Sequence, residues 1–246
     1  MFGVAVTCPR AEESEMSAQP VQSYQGFKER FWQFSDTDLF QREMDMLWSA
    51  VRSRLGKETK RSFLICSASM GEGNTTVTMG LAKFVATQTG KNVLLVDAHG
   101  EGNVLGDLLA DYSLVPLIEE PEDPYTITFD EFETSIPNMR YLTFKNPRSL
   151  ETSVVNDEDI RLFFNFITKR YDYIFVDAPP VLASNIAPFL ARQVDNVIFV
   201  IAASTNPYPL LKEALYRLED SSDRILGAVL NKREYPVPKY VYRFIR

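Results

Sequence analysis

The sequence predicts an α/β fold: a single doubly wound, mostly parallel sheet flanked by helices. Two observations carry this prediction. Continuous apolar runs of strand length ("SFLICSA", "KNVLLVDA", "DYIFVDAPP", "NVIFVIAAS", "ILGAVLN") alternate with segments of helical spacing, as parallel strands covered on both faces require. A glycine-rich turn within "CSASMGEGNTTVTMGLA" stands between the first of these strands and the helix after it. In sheets of this kind ligands sit beyond the carboxyl ends of the strands.

Residues 1–35 are rich in Ser, Gln, Glu and Pro without periodicity, so a mobile leading tail is expected. Over residues 36–55, Leu39, Met44, Leu47, Val51 and Leu55 recur at spacings of three to five, which reads as an amphipathic helix ahead of the core. "SFLICSA" is the first strand, and "TTVTMGLAKFVATQTG" is a helix closed by Gly90. "KNVLLVDA" is the next buried strand. Between 111 and 150 the pattern weakens: the acidic "IEEPEDPY" suits a surface loop, and "MRYLTF" a strand. "DEDIRLFFNFITKRY" is a helix whose first turn carries acidic residues, favourable against the helix dipole. "PLLKEALYRLED" supplies a last helix before the strand "ILGAVLN", which places the folded domain over 36–231 and leaves 232–246 as a Tyr-rich, basic tail.

Composition narrows the function. With 26 basic and 33 acidic residues the formal charge is −7, which argues against a general nucleic-acid grip, since that grip needs clustered positive charge. Only two cysteines occur, Cys8 and Cys66, so no disulfide framework is expected and a reducing compartment is inferred. The opening "MFGVAVTCPRAEESE" lacks the basic region and the apolar length of a secretory signal. No apolar run approaches the roughly 20 residues of a membrane helix.

A phosphate-binding loop needs a strand, a Gly-rich turn with inward-facing backbone N–H groups, and a helix N-terminus aimed at the anion. Ala68, Gly71, Glu72, Gly73, Thr75 and Thr76 suit that pattern, but Asn74 stands where a lysine is expected. Two carboxylates, Asp97 and Asp177, end later strands at the same sheet edge. With Thr75 they form a candidate Mg²⁺ set, and as carboxylates they are candidate catalytic groups able to orient an attacking oxygen.

These motifs, "SASMGEGNTT", "NVLLVDA", "YDYIFVDAPPVLAS" and "ILGAVLN", resemble those of the bacterial tyrosine kinases of polysaccharide synthesis, which are P-loop proteins related to the MinD/ParA ATPases. The resemblance runs from about 41 to 246. It implies Mg-ATP as cofactor and a C-terminal tyrosine cluster as phosphoacceptor, here Tyr235, Tyr240 and Tyr242. It further implies a membrane chain-length regulator of capsule or exopolysaccharide export as partner, and hence a cytoplasmic protein at the inner membrane. A packed aromatic and basic tail is the alternative for the tyrosines. Asn231 resembles the last-strand residue that contacts adenine, and a turn residue after a strand is its alternative.

Several positions depart from the family pattern. Asn74 replaces the loop lysine; after Asp97, the D-x-D-x-R motif becomes His99 and Glu101; Ile186 stands where an Asp is usual. The E-x-x-R-x-x-R oligomerisation motif falls on Met46, Ser49 and Arg52, so a homo-oligomer would have a weakened ring contact. Lys83, nine residues along the helix and about 13 Å away, and Lys60 are not expected to reach the loop. His99, the single histidine, is expected in a surface role because no Cys or second His accompanies it. Losing the loop charge should cost about 1.5–3 kcal/mol of binding, and losing a comparable transition-state donor about 10²–10³ in rate. A pseudokinase is therefore expected, with weak ATP or ADP binding retained. An active autokinase and a MinD/ParA-like nucleotide switch are the rival readings.

Overall fold

The computed structural model describes residues 3–5, 31–55, 62–99, 104–109, 115–116, 129–144, 157–203 and 207–232. In chain order the elements are β1 (Gly3–Ala5), α1 (Asp38–Arg54), β2 (Ser62–Ser67), α2 (Asn74–Thr89), β3 (Val93–Asp97) and α3 (Val104–Leu109). Then come β4 (Val115–Pro116), β5 (Phe129–Glu133), β6 (Met139–Phe144), α4 (Asp157–Thr168), β7 (Tyr173–Asp177) and α5 (Ile186–Ala191). The last are β8 (Asn196–Ala202), α6 (Tyr208–Arg217), a 3₁₀ turn (Glu219–Arg224) and β9 (Ile225–Asn231).

The strands form one sheet in the order β1-β9-β8-β2-β7-β3-β6-β5-β4. From β1 to β6 every neighbouring pair is parallel; the β6–β5 and β5–β4 pairings, at one edge, are antiparallel. The expected α/β architecture is thus present. Its central strands are buried on both faces: all six residues of β2 are buried, with Leu64 and Cys66 in one core cluster and Phe63 and Ile65 in the other. Period-two alternation therefore divides a uniformly apolar run between two cores.

Helix α1 covers one of these cores with Phe40, Met44, Leu47, Trp48 and Val51. Thr37 caps it, its side-chain oxygen accepting from the backbone N–H of Phe40 at 3.3 Å. Leu39, assigned to the apolar stripe, instead points outward with 49% exposure; Phe40, one residue on, is buried in its place. Gly90 ends α2 in the left-handed conformation at φ 65°, the role expected of it.

The leading segment is not wholly tail. Residues 3–5 pair parallel with Ala228–Leu230, residues 31–35 are helical, and Phe31 lies in the core beside Phe40, with ring centroids 6.4 Å apart. The acidic "IEEPEDPY" stretch, Glu101, Lys60, Cys8 and the tail from 233 on lie outside the described residues.

Candidate active site at the carboxyl edge of the sheet

The register of three strands assembles the site. Asp97 is the partner of Asp177 across β3 and β7, and Ile65 is the partner of Asp177 across β2 and β7. Parallel neighbours lie roughly 4.8 Å apart, so the two aspartates end side by side, next to the strand that launches the loop. Both are nearly inaccessible, at 3% and 0% exposure.

The loop after β2 is shaped by two glycines in left-handed conformations, Gly71 at φ 77° and Gly73 at φ 93°. A side chain at 73 is also sterically excluded, since a Cβ there would stand 2.0 Å from Asn231 Nδ2. The first N–H groups of α2 have no intrahelical acceptor and point with the helix dipole toward the loop, an arrangement suited to an anion. Thr75 and Thr76 lie half-buried in this first turn.

Glu72 and Asn231, both expected at the nucleotide, face into the protein. Glu72 is 2% exposed: Oε1 accepts from Ser69 N at 2.6 Å and Oε2 from Ala202 N at 2.9 Å. The carboxylate therefore ties the loop to the end of β8. Asn231, 0% exposed, donates from Nδ2 to Glu72 O at 2.8 Å and braces the loop from beneath.

Asn74 is buried as well. Its Nδ2 donates to Asp177 Oδ1 at 2.7 Å, to Ala178 O at 2.8 Å and to Ile65 O at 3.1 Å, while its own Oδ1 has no hydrogen-bond partner. The amide is turned down into the strand ends and away from the loop mouth. Thr78, one helical turn on, donates to Asn74 O at 2.9 Å and to Asp177 Oδ1 at 3.3 Å.

His99 departs from its expected surface role. Its Nδ1 lies 3.3 Å from Asp97 Oδ1 and 3.5 Å from Asp177 Oδ2, and its side chain is 23% exposed. Its backbone N–H donates to Asp97 Oδ1 at 2.9 Å, and the hydroxyl of Tyr141 donates to Asp97 Oδ2 at 3.3 Å. Burial works against charge on the imidazole, but Asp177 and Asp97 outweigh it and raise its pKa above the ordinary value. Burial pushes Asp177 up to about 6, with Asp97 adding to the rise and His99, Thr75 and Thr78 opposing it.

A Mg²⁺ on Thr75, Asp97 and Asp177 would have to compete with protein groups at every carboxylate oxygen. Three of the four carboxylate oxygens accept protein hydrogen bonds, and the fourth, Asp177 Oδ2, faces the imidazole. Among the described residues no group of three or more His, Cys, Asp or Glu side chains is arranged to hold a metal ion. Lys83 does not approach the loop: its Nζ is 2.6 Å from Asp36 Oδ1, 3.1 Å from Ser35 Oγ and 4.9 Å from the Trp32 ring centre. Ile186 is 1% exposed and belongs to the core, whereas Met46, Ser49 and Arg52 all face outward from α1.

Sequence reasoning overlooked Tyr141 and Thr78. Thr78 was legible from its spacing four residues after Asn74; Tyr141 carried no signal of its own within "MRYLTF".

No family model matches the chain. The tyrosine-protein kinase CpsD of Streptococcus agalactiae serotype III (strain NEM316) is 26% identical to it over 197 residues, 78% of this chain and 84% of the relative. The putative tyrosine-protein kinase CapB of Staphylococcus aureus is 28% identical over 175 residues, 70% and 75% of the two chains. The solved kinase domain of the Escherichia coli tyrosine kinase ETK superposes with a TM-score of 0.65 at 19% identity, over 96% of this chain and 93% of that one. These relatives, together with the shared fold, support the bacterial tyrosine-kinase family with a P-loop fold for this chain.

Proposed function

We propose that this chain is a pseudokinase of capsule or exopolysaccharide synthesis, which scaffolds or regulates a membrane chain-length regulator without phosphorylating tyrosine. The observation that carries the reading is the engagement of Asn74. In place of a cation directed at the phosphates there is a neutral amide bonded to Asp177, Ala178 O and Ile65 O. Lys83 is held by Asp36 and Ser35, so it offers no substitute charge. Without that charge a transferring phosphoryl group loses its main electrostatic support at the loop.

The polysaccharide context and the partner come from the resemblance to the bacterial tyrosine kinases of polysaccharide synthesis. No described helix is long and apolar enough to cross a membrane, which suits attachment at the inner membrane through the regulator's cytoplasmic tail. Ring formation stays part of the proposal, with Met46, Ser49 and Arg52 as the weakened contact.

The test is autophosphorylation of the purified chain with Mg-ATP. No phosphate is expected on Tyr235, Tyr240 or Tyr242. Phosphotyrosine that disappears in Asp177→Ala would establish the rival reading, an active autokinase.

One observation favours a second reading, a nucleotide-binding switch. Gly71 and Gly73 keep the left-handed loop conformation, and the N–H groups at the start of α2 do not need the missing lysine. Calorimetry with ADP or ATP separates a chain that binds without turnover from a ligand-free scaffold.

A further inference from the structure

Asp97 and Asp177 occupy partnered positions on adjacent parallel strands and are almost wholly buried. Two ionised carboxylates so placed repel one another, and a hard divalent cation with oxygen ligands is one way to relieve that repulsion. Here protein groups hold the same ground. Asp97 Oδ1 accepts the His99 backbone N–H and Oδ2 the Tyr141 hydroxyl, while Asp177 Oδ1 accepts the Asn74 amide and the Thr78 hydroxyl. Asp177 Oδ2 remains as the buried oxygen without a hydrogen bond, and the approach to it is filled by the His99 imidazole. Nδ1 stands 3.5 Å from that oxygen and 3.3 Å from Asp97 Oδ1. The ring is kept in place by its own backbone, since the 2.9 Å bond from His99 N to Asp97 Oδ1 fixes the turn that carries it.

We propose that His99 is a built-in substitute for the divalent cation: its imidazole bridges Asp97 and Asp177 and excludes hard divalent metal ions from the carboxylate pair. The role does not depend on the ring's charge, because the imidazole occupies the approach to both carboxylates whether neutral or protonated, with Nδ1 3.3 Å from Asp97 Oδ1 and 3.5 Å from Asp177 Oδ2. It concerns the same site as the pseudokinase reading but does not depend on absence of turnover.

The probe is Mn²⁺ alone, titrated into the purified full chain, with the loss of the free-ion electron paramagnetic resonance signal as readout. Wild type is expected to leave millimolar Mn²⁺ free. His99→Ala is expected to bind one ion per chain, with affinity raised by roughly tenfold or more. Adding Asp177→Asn to His99→Ala should abolish that binding. Tight binding by wild type overturns the proposal by itself, whether or not any variant folds, and binding that is lost in His99→Ala would make His99 a ligand instead. A folded His99→Ala that ignores Mn²⁺ also overturns it, since something other than the imidazole then keeps the ion out. A chain that excludes Mn²⁺ yet phosphorylates its tyrosines refutes only the pseudokinase reading. One that binds Mn²⁺ at the aspartates yet is silent with ATP refutes only this one.

Discussion

The phosphate loop and the carboxylate floor beneath it adjoin, yet they are built from different materials. The loop is backbone: two left-handed glycines and the first N–H groups of a helix. The floor is side chains: Asp97, Asp177, Asn74, His99, Thr78 and Tyr141, bonded to one another. Backbone donors persist whatever side chains surround them. A charge-based floor does not, because one changed residue leaves a neighbour's buried charge to be satisfied by something else. The loop here still has an anion-binding shape, while the floor has been closed on itself by donors from within the protein.

The backbone half depends most directly on Gly73. A valine there combines a positive φ with a Cβ 2.0 Å from Asn231 Nδ2, and cost on the order of 3–4 kcal/mol is expected from strain plus overpacking. Urea unfolding measures it, and calorimetry should show nucleotide binding lost. A loss below about 1 kcal/mol would mean that the loop conformation is not fixed by this glycine.

The floor is tested through pH. A carboxyl whose folded pKa lies above its unfolded value holds its proton more tightly when folded, so stability is greatest at low pH and falls as pH rises between the two values. For Asp177 that window runs from the ordinary 3.8 to about 6, and the fall is on the order of 2–3 kcal/mol. His99, also raised, acts in the same direction: its contribution is complete below its unfolded pKa and is lost as pH rises through the folded one. Asp177→Asn should therefore gain on wild type as pH increases across the window in parallel unfolding titrations. Equal pH profiles would show that Asp177 ionises as freely as an exposed carboxyl.

Asn74→Lys joins the two regions again. Returning a cation to the loop should tighten ADP binding in chelator-containing buffer by about 1.5–3 kcal/mol, roughly ten- to hundredfold. Unchanged affinity would place the deficit in the loop backbone and not in the side chains beneath it.

The architecture was legible because central parallel strands are continuous apolar runs, and five of them stand out in the sequence. Short or polar edge elements were not. Gly3–Ala5 is three residues long, Phe129–Glu133 reads "FDEFE", and the helices Val104–Leu109 and Ile186–Ala191 have six residues each, too few to display a period. In the site, residue types and spacing identified the loop and both aspartates. His99 was misplaced because its role depends on register: only the pairing of Asp97 with Asp177 turns a residue two positions after one carboxylate toward both. The inward side chains of Glu72 and Asn231 were not legible for a similar reason, since a motif specifies a position on the loop but not the direction a side chain takes beneath it.

The smallest effect sharpens the account of how the backbone half is held. Asn231→Ala removes the 2.8 Å bond to Glu72 O and should cost about 1 kcal/mol. The same change clears the space into which a residue-73 Cβ would project. Gly73→Ala should therefore be less damaging in the Asn231→Ala background than in wild type, with a coupling of at least about 0.5 kcal/mol in a double-mutant cycle. The residual cost in that background isolates the strain of the positive φ, because the steric partner is gone. Strict additivity would mean that Asn231 does not bear on Gly73.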